Sequence, residues 1–113
     1  MMEEITTLEQ MSALVESKDS AIVFKYSPTC GISQVAQEAW EAFSMLPHMV
    51  RLAQCDVIQA RPAARGMVDL VGIAHQSPQV LVLKNGVCIA HTSHYSITSA
   101  WLESAKEKLL RKS

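Results

Sequence analysis

The sequence IVFKYSPTCGIS, residues 22–33, decides the fold of this chain. Its first half is rich in Ile, Val, Phe and Tyr and predicts a buried strand, which Pro28 must end because proline supplies no backbone N–H. Helical spacing of apolar residues follows directly, so Cys30 stands where a strand turns into a helix. The unpaired N–H groups of a first helical turn favour thiolate over thiol. The stretch therefore predicts a nucleophilic cysteine.

Composition bounds the class of protein. The chain has 113 residues, 49% of them hydrophobic, and a formal net charge of −1, which predicts a single domain over residues 1–113. The charges are interspersed, and no apolar run approaches the length of a membrane span, so we expect no nucleic-acid and no membrane partner. Three widely spaced cysteines and an acidic start without signal-peptide features predict a cytoplasmic protein.

The first half of the chain alternates helical and strand patterns. Capping-box spacing from Thr6 to Glu9 predicts a first helix that runs to about Lys18. A strand over residues 21–26 follows, and then a helix with Ile32, Val35, Ala36, Ala39, Phe43 and Leu46 on its apolar side. Residues 49–57 predict a second strand, which its mixed polarity places at or near a sheet edge.

The second half predicts a helix, a hairpin and a closing helix. Pro62 suits the first turn of the helix, and Gly72 is its expected stop. Asn85-Gly86 is a type I′ hairpin signal between strands 79–84 and 87–92. Ser96 is the expected cap of the last helix. The resulting order, αβαβαββα, predicts an α/β three-layer sandwich with a four-stranded mixed sheet.

This order resembles the thioredoxin fold without its usual first strand, with Cys30 after a strand and Pro78 before the hairpin. The resemblance extends to a family. The segments that carry it are FKYS at 24–27, TCGIS at 29–33, DVI at 56–58, HQSPQ at 75–79 and HTSH at 91–94. They resemble the bacillithiol-associated YtxJ family, also called monothiol bacilliredoxins. One position departs from that family: its pattern has proline where this chain has Gly31, which restores a backbone N–H beside Cys30.

Cys30 and Ser33 form the predicted catalytic pair. Ser33 occupies the position at which dithiol enzymes of this fold carry a second cysteine, so Cys30 cannot close a local disulfide. The Ser33 hydroxyl is able to donate a hydrogen bond to the sulfur instead. The resemblance implies that Cys30 removes a low-molecular-weight thiol, bacillithiol or an equivalent, from protein mixed disulfides. The small thiol is then a co-substrate, thiol-modified proteins are the clients, and no tightly bound cofactor is expected.

Two other functions remain open at this stage. In the first, the chain is a non-catalytic binding module whose groove beside Pro78 holds a partner. In the second, it is a redox sensor whose Cys30 reports oxidation. Cys55, near the end of a strand, is a possible resolving thiol, although a buried structural thiol is favoured. Cys88 should lie near the hairpin turn, far from Cys30, and is excluded from catalysis.

The predicted substrate-binding residues surround the cysteine. They are Thr29, Gly31, Ser77, Pro78 and His94. The resemblance implies a cis peptide bond before Pro78, with Ser77 presenting backbone groups to a bound peptide or thiol. His94 should return to the same rim, because the strand before it runs antiparallel to the strand after Pro78.

Several further polar residues have two interpretations each. His75 should also lie near Cys30, where it stabilises a thiolate or is simply solvated. Lys25 either adds positive potential near Cys30 or extends to the sheet rim. Arg61 and Arg65 either hold carboxylates of a small thiol or, as we favour, form a solvated helix face. A Cys-His-His metal site lacks tight ligand spacing, so no metal is expected.

Overall fold

The computed structural model describes residues 2–28, 31–46 and 49–111, apart from the side chain of Ile32. Over these residues the elements are β1 Met2–Glu4, α1 Leu8–Glu16, β2 Ala21–Tyr26, α2 Gly31–Ser44, β3 Arg51–Asp56, α3 Arg61–Val71, β4 Gln79–Lys84, β5 Val87–Ser93 and α4 Ser99–Leu110. A short 3₁₀ turn over His94–Ser96 joins β5 to α4. The predicted α/β fold is confirmed.

The strands form one mixed sheet in the order β1-β3-β2-β4-β5. β1 and β2 both pair with β3 in parallel, β4 pairs with β2 antiparallel, and β5 pairs with β4 antiparallel. The carboxyl ends of β2 and β3 therefore lie at the same edge of the sheet as the start of β4 and the end of β5. We call this edge the active rim.

The sheet has five strands, so the prediction of four was wrong. β1 is short and polar, but it is held by side chains that long-range pairing brings together. Arg51 forms an ion pair with Glu3 at 2.6 Å, and the Ile5 N–H donates to the Gln54 carbonyl at 2.8 Å. Trp40 Nε1 donates to Gln54 Oε1 at 3.1 Å and lies 2.9 Å from Met2 Sδ. β3 is therefore next to the edge, as its mixed polarity indicated.

Each face of the sheet is covered by two helices. α1 and α3 pack on one face, where Val23, Ala53 and Leu81 point, and α2 and α4 pack on the other, where Phe24 and Val80 point. Side chains alternate between the two faces along β2. Lys25 follows Phe24 and therefore points to the face covered by α3, whereas Cys30 immediately precedes α2 in sequence.

Two predicted helix caps are displaced. Thr7, and not Thr6, caps α1, and its capping box closes on Gln10 and not on Glu9. Thr98, and not Ser96, caps α4, because Ser96 lies in the 3₁₀ turn. In both places the sequence offers two hydroxyl residues within three positions, and the second of them is the cap.

The apolar side of α2 is narrower than predicted. Ala36, Trp40 and Phe43 are buried, at a spacing of four and three residues. Val35 is 57% exposed and Leu46 is 52% exposed, because Val35 points about 100° away from Ala36 and Leu46 lies beyond the helix end. The Ile32 side chain lies outside the described residues.

The predicted ends of α3 and of the hairpin are confirmed. Gly72 terminates α3 in the left-handed conformation, with φ of 75°. Asn85 and Gly86 both have positive φ, 56° and 79°, as a type I′ turn requires. None of the helices in the described ranges is long and apolar enough to cross a bilayer.

Candidate functional site

The active rim contains most of the predicted site. β2 ends at Tyr26 and leads through Ser27 and Pro28 toward α2, which begins at Gly31. Thr29 and Cys30, predicted as a binding residue and the nucleophile, lie outside the described residues. The site is therefore built here from the side chains that flank them.

Ser33 anchors the first turn of α2 to the end of β2. Its side chain is buried, and its Oγ accepts a hydrogen bond from the Ser27 backbone N–H at 3.1 Å. A hydroxyl that accepts this bond still has its own proton to donate. Gly31 is exposed, and a Cβ added there would meet no described atom within 4 Å. Ser33 is thus fixed by packing, while Gly31 is open to solvent.

Pro78 and His94 lie side by side, as predicted. The Ser77–Pro78 peptide bond is cis, and Pro78 is buried. The Pro78 carbonyl accepts a hydrogen bond from the His94 backbone N–H at 3.0 Å. His94 has a φ of 56°, which turns the chain from β5 into the 3₁₀ turn. These contacts make one continuous wall of the rim.

Ser77 carries a hydroxyl that has no partner among the described residues. Its Oγ is buried, and no hydrogen-bond partner for it exists within the described ranges of the chain. A buried hydroxyl that stays unpaired costs free energy. The sequence predicts a binding role only for the backbone of Ser77, and the structure adds its buried hydroxyl as a candidate donor.

Lys25 is buried and bonded to His75. Its side chain is 0% exposed, and its Nζ lies 3.0 Å from His75 Nδ1 and donates to the Ala64 carbonyl at 3.4 Å. The expectation that Lys25 extends to solvent at the sheet rim is therefore wrong. Its ammonium is instead bonded to His75. A charged ammonium only donates, so His75 Nδ1 accepts and the ring hydrogen resides on Nε2.

The surroundings of this pair disfavour positive charge. Burial, more than the neighbouring Arg65, lowers the pKa of Lys25 from 10.5 to about 8, against the opposing effect of Cys55. Burial also lowers the pKa of His75. The positive charges of Lys25, Arg65 and Arg61 lower this pKa further, each by less than burial does. His75 is therefore a neutral imidazole at neutral pH.

Gln79 shapes the loop that carries His75. It is 1% exposed, its Nε2 donates to the Ala74 carbonyl at 3.0 Å, and its Oε1 accepts from the Gln76 N–H at 3.3 Å. The loop between α3 and Pro78 is thereby tied to the first residue of β4. This role of Gln79 was not predicted, although a glutamine at the start of a strongly apolar strand indicates a buried polar group that needs partners.

Cys55 is a buried structural thiol, as favoured from the sequence. It is 0% exposed among residues that pack against α1 and α3, which is the face opposite to α2. Burial raises the pKa of Cys55 to about 11. Cys88 is half-buried beside the hairpin turn, at the other end of β4 from Pro78, and burial raises its pKa as well. Both are free cysteines.

Arg61 and Arg65 line a pocket on the active rim. The pocket has a volume of about 210 Å³, and its described lining residues are Val57, Ile58, Arg61, Arg65 and His75. The sequence favours a solvated helix face for these arginines. They are exposed, but they also converge with His75, which the spacing of residues 61 and 75 did not reveal.

The overall arrangement is that of thioredoxin-fold proteins. A solved structure with a thioredoxin fold is 23% identical to this chain, covers 92% of each chain and has a TM-score of 0.80. Mitochondrial thioredoxin 3 from Saccharomyces cerevisiae is 20% identical, with 96% and 95% of the chains covered and a TM-score of 0.72. Fasciola hepatica thioredoxin is 18% identical, with 95% and 98% covered and a TM-score of 0.74. These similarities establish the fold.

The family follows from a separate comparison. The family model of the monothiol bacilliredoxin BrxC matches residues 3–102. The chain therefore belongs to the monothiol bacilliredoxin family, and its function is thiol–disulfide redox chemistry. The resemblance found in the sequence segments around Cys30, Pro78 and His94 is confirmed.

Proposed function

We propose that this protein removes a low-molecular-weight thiol from protein mixed disulfides through Cys30. The Cys30 thiolate attacks the thiol's sulfur in the mixed disulfide, forms a new disulfide with the small thiol, and releases the client as a thiolate. A second low-molecular-weight thiolate then attacks the small thiol's sulfur and regenerates the Cys30 thiolate. Each step breaks one disulfide and forms another, so the second small thiol is the reductant of the cycle and leaves as the symmetrical disulfide of the small thiol.

The observation that carries the proposal is the environment of Ser33. It occupies the resolving position of a dithiol enzyme, is buried, and is held by the Ser27 N–H. A hydroxyl cannot form a disulfide, so the mixed disulfide at Cys30 persists until an external thiol removes it. The free Ser33 proton is available to stabilise sulfur charge during the exchange.

The other cysteines support a one-thiol mechanism. Cys55 lies on the face of the sheet opposite to α2, and its raised pKa leaves little thiolate at neutral pH. Cys88 is at the far end of β4. We therefore propose that an adduct at Cys30 is resolved by an external thiol and not by Cys55 or Cys88.

Ser77, Pro78 and His94 are the proposed docking wall for the mixed disulfide. The Ser77 hydroxyl, which has no partner in the part of the chain that the structure describes, is a proposed donor for a bound sulfur or peptide group. Thr29 and Gly31, the sequence neighbours of Cys30, are the other proposed substrate-binding residues. We assign bacillithiol or an equivalent as the small thiol from the family, modified proteins as clients, and a reducing cytoplasm as the setting.

A dethiolation assay tests this function. The substrate is a one-cysteine carrier protein modified with bacillithiol, and the product is the free carrier thiol. We expect rapid release by the wild type, no release by Cys30→Ser, and unchanged release by Cys55→Ser, a matched control for a cysteine in the fold. Release by the Cys30→Ser variant at the wild-type rate would overturn the proposal.

A further inference from the structure

A cluster of positive groups without carboxylate partners lies beside the proposed exchange site. Arg61 and Arg65 are four residues apart on α3, so their side chains share one helix face. Neither guanidinium forms an ion pair with any acid in the ranges that the structure describes. His75 forms another wall of the same 210 Å³ pocket.

The buried charge behind His75 adds to this positive region. Lys25 Nζ contacts His75 Nδ1 and the Ala64 carbonyl, and its hydrogen-bond partners in the described part of the chain are both uncharged. Asp56, five residues before Arg61, accepts the N–H groups of Ile58 and Gln59 on its Oδ1 at 2.8 and 3.0 Å. The described lining of the pocket therefore offers donors and positive charge and includes no carboxylate.

The lining chemistry selects a class of ligand. Two guanidiniums match the planar, bidentate geometry of carboxylates. The neutral His75 ring holds its hydrogen on Nε2 while Lys25 occupies Nδ1, so it contributes one further N–H donor. Val57 and Ile58 supply apolar walls for a short carbon chain. A small organic acid fits these features better than an isolated inorganic ion.

We propose that this pocket binds a carboxylate of the low-molecular-weight thiol and so selects acidic thiols as co-substrates. The inference rests on the proposed function, because it assigns the pocket to the thiol that Cys30 exchanges. The pocket lies on the active rim, beyond the end of β3 and beside the loop that leads to Pro78. Arg61 and Arg65 are then specificity residues. Lys25 is a positioning residue, because its ammonium holds the His75 ring that lines the pocket.

The first test separates binding from exchange. S-methyl-bacillithiol cannot exchange, so its binding to the reduced protein is followed by NMR of the arginine Nε–Hε groups and the His75 ring. We expect shifts at Arg61, Arg65 and His75, and a Kd raised about tenfold in the double variant Arg61→Gln/Arg65→Gln. Arg111→Gln, which removes an exposed arginine elsewhere, should bind as the wild type does. Unshifted pocket signals would overturn the inference even if dethiolation is observed.

The second test uses the exchange reaction. One carrier protein is modified in parallel with bacillithiol, which carries carboxylates, and with 2-mercaptoethanol, which carries none. The double variant should release bacillithiol about tenfold more slowly and 2-mercaptoethanol at nearly the wild-type rate. An equal loss for both would show that the arginines do not read the carboxylate. Failure of the wild type on both substrates would instead contradict the proposed function, while the NMR titration still decides the pocket.

Discussion

Lys25 Nζ lies 3.0 Å from His75 Nδ1, in a position closed to solvent between the central strand and α3. The two residues are 50 positions apart in sequence, and their contact joins the strand that precedes Cys30 to the loop that precedes Pro78. Both lie behind the active rim. Because a buried ammonium is costly, its retention here points to a role other than stability.

The stability cost of Lys25 is measurable through its pH dependence. Its pKa falls from 10.5 to about 8 on folding, which corresponds to a cost of about 3 kcal/mol at neutral pH. This cost is fully present below pH 8 and fades as the pH rises toward 10.5, where the unfolded chain also loses the proton. Lys25→Met removes the cost and loses two hydrogen bonds of about 1 kcal/mol each.

We therefore expect Lys25→Met to be more stable than the wild type at pH 7, by on the order of 1 kcal/mol. The difference should shrink or reverse at pH 10. Urea unfolding of both proteins at the two pH values measures it, and taking the difference cancels the titration of groups that the two proteins share. A difference in unfolding free energy that does not change with pH would contradict a lowered pKa of Lys25 in the folded protein.

Ser33→Cys should convert the one-thiol site into a dithiol site. The new thiol stands at the resolving position, so the adduct on Cys30 should give way to a disulfide between positions 30 and 33. Intact-mass measurement after reaction with a modified carrier distinguishes the two products. Ser33→Ala is the matched control, because it loses the same acceptor for the Ser27 N–H but supplies no thiol. Persistence of the adduct in Ser33→Cys would argue against the predicted geometry.

Ser77→Ala separates a functional hydroxyl from a structural one. The hydroxyl is buried without a partner in the described ranges, so its removal should leave stability unchanged or raise it by up to about 1 kcal/mol. The dethiolation rate should fall about threefold to tenfold, the worth of one hydrogen bond to the reacting group. Urea unfolding and the carrier assay give the two values. A stable variant with the full rate would remove the Ser77 hydroxyl from the proposed site.

Gly31→Ala should stabilise the protein. Gly31 is the first residue of α2, its φ is not positive, and a Cβ there meets nothing within 4 Å. Reduced freedom of the unfolded chain should then contribute about 0.5–1 kcal/mol. Gly86→Ala is the contrasting variant, since a φ of 79° and a Cβ only 3.3 Å from the Val15 carbonyl predict destabilisation. A destabilised Gly31→Ala would show that the departure from the family proline serves a conformational need at Cys30.

Much of this fold was readable from local signals. Pro28, Gly72 and Asn85-Gly86 each impose a backbone restriction that acts within a few residues, and the element boundaries that they predict agree with the structure. β1 was missed because its stability comes from partners far away in sequence, such as Arg51 and Gln54. A three-residue polar segment carries no period from which such pairing can be predicted.

The candidate site also contains residues that local signals predict and residues that depend on long-range contacts. Ser33 and Pro78 were found because their positions relative to Cys30 and the hairpin have chemical meaning. The Lys25–His75 contact and the pocket beside Arg65 depend on side-chain direction across 50 and 10 residues, which local patterns do not encode. The sequence nevertheless indicates that Lys25 is unusual, because a charged side chain in a buried strand is almost always paired.

The mass of the protein after one encounter with a modified client tests the central claim most directly. A carrier bearing bacillithiol is mixed with excess reduced protein, the reaction is stopped with acid, and both chains are weighed and peptide-mapped. We predict that the protein gains one bacillithiol on the peptide containing Cys30, while the carrier returns to its free thiol. An unmodified protein beside a carrier that keeps its bacillithiol, or a disulfide between Cys30 and Cys55, would contradict the account.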